Sequence, residues 1–137
     1  MQFLFAADRG TPSLYERYDL LSQPVLDLIE QLVGAAERAG VPVSVCGEAA
    51  SRPIEALTLA ALGIGSLSMP ASGILPVKAL LSEANLSEFR PVLSAIRRGG
   101  MGATSLREPI AACTGYLVMP MARRFTTRLV AIIDGTA

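Results

Sequence analysis

The chain has 137 residues, of which 51% are hydrophobic, with 12 Lys+Arg against 12 Asp+Glu and no histidine. That length carries one domain with a core, but it is short of a complete eight-stranded α/β barrel, which takes roughly 250 residues. The balanced charge argues against a nucleic-acid or anionic-membrane surface, and the missing histidine removes Ser-His-Asp triads, histidine metal sites and phosphohistidine chemistry carried on this chain itself.

In chain order, MQFLFAAD (1–8) is apolar and reads equally as strand or helix, and Arg9 to Leu21 reads as a loop. Ser22 precedes a helix to about Ala39, with Val25, Leu26, Ile29, Leu32, Val33 and Ala36 on one face and Gly40 placed to end it. VPVSVC (41–46) is a short β-branched run that reads as a buried strand. Ser51 is a candidate N-cap, with Pro53 in the first turn of a helix that Gly63 ends. SLSM (66–69) reads as a second strand, followed by a helix around Leu75–Glu83. Alternation of helix and strand predicts parallel pairing through βα crossovers. Beyond Ala84, a helix over about 85–98 is expected to bend or restart at Pro91. GGMGA (99–103) reads as a joint, Ser105 as the start of a short helix and RLVAII (128–133) as a terminal strand.

No apolar stretch reaches the roughly 18 residues of a membrane helix, and there is no basic start followed by an apolar segment. Cys46 and Cys113 form no CxxC, so the expectation is a cytoplasmic chain with reduced thiols.

Cys46 is the residue with most chemical promise. It ends a predicted strand, where α/β folds gather their chemistry, and Gly47-Glu48 follows it. A thiol there can act as nucleophile or proton donor. The competing reading is a buried packing cysteine. Arg9, in AADRG, is either an anion ligand or an exposed charge paired with Asp8. Glu48 reads best as a helix-start carboxylate. Arg52 opposes the dipole of the helix it starts, which hints at an acidic or anionic partner nearby. Ser68 and Met69 should reach the same rim as Cys46, and Cys113 should simply pack. Arg97-Arg98 and Arg123-Arg124 read as solvated pairs. Gly63-Ile64-Gly65 follows a helix and precedes a strand, the reverse of a dinucleotide loop, and Gly99-Gly100-Met101-Gly102 lacks the Lys-Ser/Thr of a P-loop.

Taken together, MQFLFAADRG, VPVSVCGEAASRP and ALGIGSLSMPASGILPVKALL resemble the end of the phosphoenolpyruvate-binding barrel of the Enzyme I family, the phosphoenolpyruvate–protein phosphotransferases, in its nitrogen-related branch. The resemblance runs over roughly residues 1–98 and more loosely to 112. It implies an α/β fold, the C-terminal portion of a (β/α)8 barrel that is incomplete on its own, with 113–137 a tail outside the family pattern. It implies that Cys46 matches the family's active-site cysteine, the general acid/base at C3 of the enolate, and that Arg9 matches the substrate-contacting arginine of the D-R-G string. Their separation is the one the family shows. Thr11 stands where the family usually has Asn, and Ala49-Ala50-Ser51 replaces Met-Ala-Gly.

Further implications concern the parent enzyme. It would be cytoplasmic and Mg2+-dependent, with the metal ligands and the histidine-bearing domain upstream of this chain. Its partners would be phosphoenolpyruvate and pyruvate, a phosphocarrier protein met through that histidine domain, and a second copy in a homodimer, with neither nucleic acid nor membrane. The chain alone is expected to be inactive. The alternatives are a non-catalytic association module, or a piece of a phosphoenolpyruvate synthase or pyruvate phosphate dikinase.

Overall fold

A computed structural model describes residues 19–100 and 105–118, with side chains to residue 114. The expected elements at 1–7 and 128–133, residues 101–103 of the 99–103 joint, Arg9 and Arg123-Arg124 lie outside the described residues. Within them the order is α1 (Gln23–Ala39), β1 (Ser44–Cys46), α2 (Pro53–Ala61), β2 (Ser66–Ser68), α3 (Ala71–Glu83), α4 (Leu86–Gly99) and α5 (Arg107–Val118). A single 3-10 turn, Glu48–Ser51, joins β1 to α2.

The two helices that lead into strands end in the same way. Gly40 takes a left-handed conformation (φ 66°), its N–H donating to the Glu37 carbonyl while the Val41 N–H donates to Ala36. Gly63 (φ 105°) and Ile64 repeat this at the end of α2, bonding Ala60 and Leu59. These are paired Schellman bonds, which satisfy the last helical carbonyls and turn the chain towards a strand. A Cβ on Gly63 would also lie 2.9 Å from Val33 Cγ1, so close packing of α2 against α1 adds a second demand for glycine.

β1 and β2 pair in parallel, as the helix–strand alternation predicts, with Ser44 opposite Ser66, Val45 opposite Leu67 and Cys46 opposite Ser68. The expected six-residue buried strand is reduced to three residues with alternating exposure. Val45 and Leu67 are half-buried against the helical core, whereas Ser44, Cys46, Ser66 and Ser68 are exposed. One face of the sheet is therefore covered and the other open, as the period-2 geometry of a strand dictates.

The core lies between α1, α2, α4 and the start of α5, built on Leu21, Leu26, Leu57, Leu59, Phe89, Leu106 and Ile110. α2 is buried on nearly every side, because the 3-10 turn, α3, α4 and α5 all pack on it. Leu32 of α1 departs from the expected apolar face: it is 56% exposed, at the edge of a stripe formed by Val25, Leu26, Ile29 and Val33. α3 begins at Ala71, earlier than expected, and continues through Pro76; α4 continues through Pro91 as one element. Each proline removes a bond to the carbonyl four residues earlier, Ser72 or Ser87. These positions are exposed, so water can take that bond. Asn85 caps α4 by accepting the Ser87 N–H at 3.1 Å and donating to Glu88 at 3.0 Å.

Arg97 corrects the reading of Arg97-Arg98 as a solvated pair. Its side chain is 10% exposed, and its Nη2 donates to Asp27 and Glu30 of α1, each at 2.7 Å. The Glu30 hydrogen bond, opposed by burial and then aided by Asp27, raises its pKa above the usual arginine value. The carboxylates that hold Arg97 lie 70 and 67 positions away in the chain, so they come into view only when α1 meets α4.

Candidate functional site

The site is assembled at the C-terminal ends of the two strands. Cys46 is exposed and has a free thiol, and in this chain it is not packed among the core side chains. Its register partner is Ser68, and the pairing extends one residue further, because the Gly47 N–H donates to the Ser68 carbonyl at 3.0 Å. Gly47 then takes φ 117° and ψ −173°. A Cβ there would meet nothing within 4 Å, so it is the backbone conformation rather than space that selects glycine.

The chain next closes the 3-10 turn. The Ala50 N–H bonds Gly47, the Arg52 N–H bonds Ala49, and the Ser51 hydroxyl donates to the Glu48 carbonyl at 2.6 Å. Ser51 is thereby used inside the turn and does not cap α2; Arg52 occupies that position with an extended backbone. α3 presses on the turn from outside. A Cβ on Gly73 would lie 2.4 Å from the Ser51 Cβ and 3.2 Å from its carbonyl oxygen, so it is the missing side chain of the buried Gly73 that lets α3 approach the turn this closely. Sequence reading did not single out Gly73.

The acidic company expected for Arg52 is supplied by this chain. Arg52 reaches Glu48 at 3.3 Å and Glu55 at 3.7 Å. Glu55, which sequence reading missed, is 2% exposed and also lies 2.8 Å from Arg107 of α5. Arg107 continues to Asp19 at 2.9 Å, and Asp19 accepts a hydrogen bond from the Ser105 hydroxyl. Burial works against the Arg107 charge, but the hydrogen bond and field of Glu55, with Asp19, more than offset it and raise its pKa. Burial likewise opposes the Asp19 carboxylate, and the Ser105 hydroxyl, the Leu21 amide and Arg107 together hold its pKa below the usual carboxylate range. Beside Arg52, a lone Glu in the apolar run PIEALTLAAL is the sequence signal for this cluster.

Cys113 is half-buried against the core, as expected of a packing cysteine. Structure therefore brings together Cys46, Gly47, Glu48, Arg52 and Ser68, while Arg9 lies outside the described residues. Among the described residues no three His, Cys, Asp or Glu side chains are grouped to hold a metal ion. Glu48, Glu55 and Asp19 face arginines instead, so this donor set does not fit a divalent cation. Nor is any described helix long and apolar enough to cross a membrane.

Residues 1–86 match a family described as PEP-utilising enzyme, PEP-binding domain. The chain is similar to the phosphoenolpyruvate-protein phosphotransferase of Borreliella burgdorferi, at 35% identity over 95 residues, 69% of this chain and 17% of that protein. It is also similar to the one of Streptomyces coelicolor, at 36% over 96 residues, 70% of this chain and 17% of that protein. A multiphosphoryl transfer protein of Rhodobacter capsulatus is 37% identical over 89 residues, 65% of this chain and 11% of that protein. The chain thus spans less than a fifth of the length of these curated relatives.

Proposed function

The chain belongs to the PEP-utilising enzymes through their PEP-binding domain, and from that membership we propose that it supplies the acid/base part of a phosphotransferase. This enzyme moves the phosphoryl group of phosphoenolpyruvate to a protein histidine and releases pyruvate. The carrying observation is the exposed Cys46 thiol at the C-terminal end of a parallel strand, on the open face of the sheet.

In the proposed step the phosphorus–oxygen bond of phosphoenolpyruvate breaks towards the histidine nitrogen, leaving the enolate of pyruvate. The Cys46 S–H then gives its proton to C3, forming the methyl group and a thiolate that recovers a proton from solvent. The ketone is far more stable than the enolate, so protonation draws the transfer forward. In reverse the thiolate takes a methyl proton. Arg9 is proposed as a substrate ligand, its guanidinium forking onto the phosphoryl or carboxylate group. A Mg2+ ion of the whole enzyme would be held by residues other than those described, and no step here runs through it.

The same reading takes β1 and β2 as neighbouring strands of a parallel (β/α)8 barrel. Their covered face with Val45 and Leu67 would be its outer layer, and the small polar face with Cys46 its interior. A soluble cytoplasmic enzyme, with a phosphocarrier protein as the recipient of the phosphoryl group, completes the proposal. With no histidine among its 137 residues, the isolated chain should form no phosphohistidine and release no pyruvate from phosphoenolpyruvate.

The test is a graft of this segment in place of the matching one in the Streptomyces coelicolor relative. Pyruvate release should survive the graft and fall by about 100-fold or more in its Cys46→Ala variant, the range of a lost general acid. Equal rates in both would overturn the assignment. A second reading, self-association, is favoured by α3, whose Leu75 and Ile74 are exposed beside an open groove of about 740 Å3 that Ile64, Leu67 and Val77 also line. Sedimentation of a strictly monomeric chain at high concentration would exclude it.

A further inference from the structure

Five charged side chains run in alternating sign through the buried Glu55 to the exposed Glu48: Asp19, Arg107, Glu55, Arg52 and Glu48, with successive separations of 2.9, 2.8, 3.7 and 3.3 Å. Each end has a different environment. Asp19 and Arg107 join the segment before α1 to the start of α5, where the Leu106 N–H also donates to the Leu21 carbonyl at 2.9 Å. Glu48 is exposed and lies two residues after Cys46. Glu55 sits between them inside α2, and a carboxylate so buried is tolerated only with cations against it.

Arg52 connects the halves. At the N-terminus of α2 its charge opposes the helix dipole, a placement that gains nothing from the helix itself. One guanidinium nitrogen, Nη1, lies against the buried Glu55; the other, Nη2, donates to Glu48 across the turn. The same residue gives its backbone N–H to Ala49, closing the turn. Arg107, in turn, comes from beyond the 86 residues that match the family.

We propose that Arg52 is a positioning residue for the Glu48–Ser51 turn that follows Cys46, itself held in place by Glu55 and Arg107, so that docking of α5 sets where that turn rests beside the thiol. That this turn is the working part of the protein rests on the function proposed above; the coupling itself does not depend on any substrate. Without Arg52, the Glu48 side chain loses its tether, and the turn keeps its backbone bonds, the Ser51 hydroxyl bond to the Glu48 carbonyl and the contact with Gly73. Without Arg107, Glu55 draws on Arg52 alone.

The experiment uses the full 137-residue chain and two readouts that need no turnover. Backbone amide exchange is followed at Gly47, Ala50 and Arg52, and iodoacetamide alkylation is followed separately at Cys46 and Cys113. Arg52 is half-exposed, so Arg52→Met should leave the fold intact. Exchange at the three amides should then rise by up to about fivefold, the reach of a partly exposed ion pair. Cys46 alkylation should change, and Cys113, packed on the core, should keep its rate. Arg52→Lys should restore most of the protection, and Arg107→Lys should loosen the same three amides from α5. Unchanged exchange at 47–52 in Arg52→Met would overturn the proposal, as would loosening that appears only together with faster Cys113 alkylation. If the grafted enzyme loses nothing with Cys46→Ala while this coupling holds, the functional reading falls and the positioning network stands.

Discussion

The two faces of the β1–β2 sheet divide the molecule. On one, Val45 and Leu67 settle against α1, α2 and their neighbours, where Leu26, Leu57, Leu59 and Phe89 are sealed from water. On the other, Ser44, Cys46, Ser66 and Ser68 stand exposed, one residue out of phase. A strand of three residues holds little stability of its own, so the open face can carry an exposed thiol because the covered face carries the folding energy. The Arg52–Glu55–Arg107 line joins the turn beyond Cys46 to α5, and it runs by way of α2 rather than through the sheet.

The largest break in this division should come from Phe89→Ala. Phe89 is fully buried, and its loss should lower unfolding free energy by about 3–5 kcal/mol in denaturant titration, with no direct effect on the rim. Gly73→Ala tests the contact between α3 and the turn. The new methyl must displace Ser51, so we expect a loss of about 1–3 kcal/mol together with faster amide exchange at 47–52, a combination Phe89→Ala should not show under native conditions.

Acid sharpens the comparison from the core side. The Asp19 pKa is lowered, so its contribution is present above the unfolded value near ~4 and is lost as pH falls through the folded one. Asp19→Asn should cost roughly 1–2 kcal/mol at pH 7, and the variant should lose less stability than wild type between pH 7 and pH 3. The smallest effect belongs to Cys46→Ser. At an exposed position it should move stability by no more than about 0.5 kcal/mol, and a larger loss would mean that the thiol packs after all.

Much of the scaffold was legible before any coordinates. Most of the α1 face, Gly40, the parallel pairing and the place of Cys46 on the same rim as Ser68 follow from local pattern: 3.6-residue spacing, glycine after a helix, and strands alternating with helices. What could not be read depends on neighbours distant in sequence. Arg97 looked solvated until α1 supplied Asp27 and Glu30, and Glu55 needed Arg107, 52 positions away in the chain, to make sense of a charge in an apolar helix. Gly73 is unremarkable in sequence because its reason is Ser51 on another element. At Cys46 the local pattern left burial and exposure both open. The alternation Ser44–Val45–Cys46 resolves it only once Val45 is known to be the inward residue.

If Cys46 delivers the proton to C3, as proposed, the delivery has a fixed stereochemistry. Phosphoenolpyruvate stereospecifically tritiated at C3 is turned over in D2O by the grafted phosphotransferase, and the configuration of the chiral methyl group of pyruvate is read. A thiol fixed on one side of the enolate predicts a single configuration with Cys46 present and a racemic methyl in Cys46→Ala, where the enolate is protonated by solvent. A methyl group of unchanged single configuration in Cys46→Ala would contradict the claim.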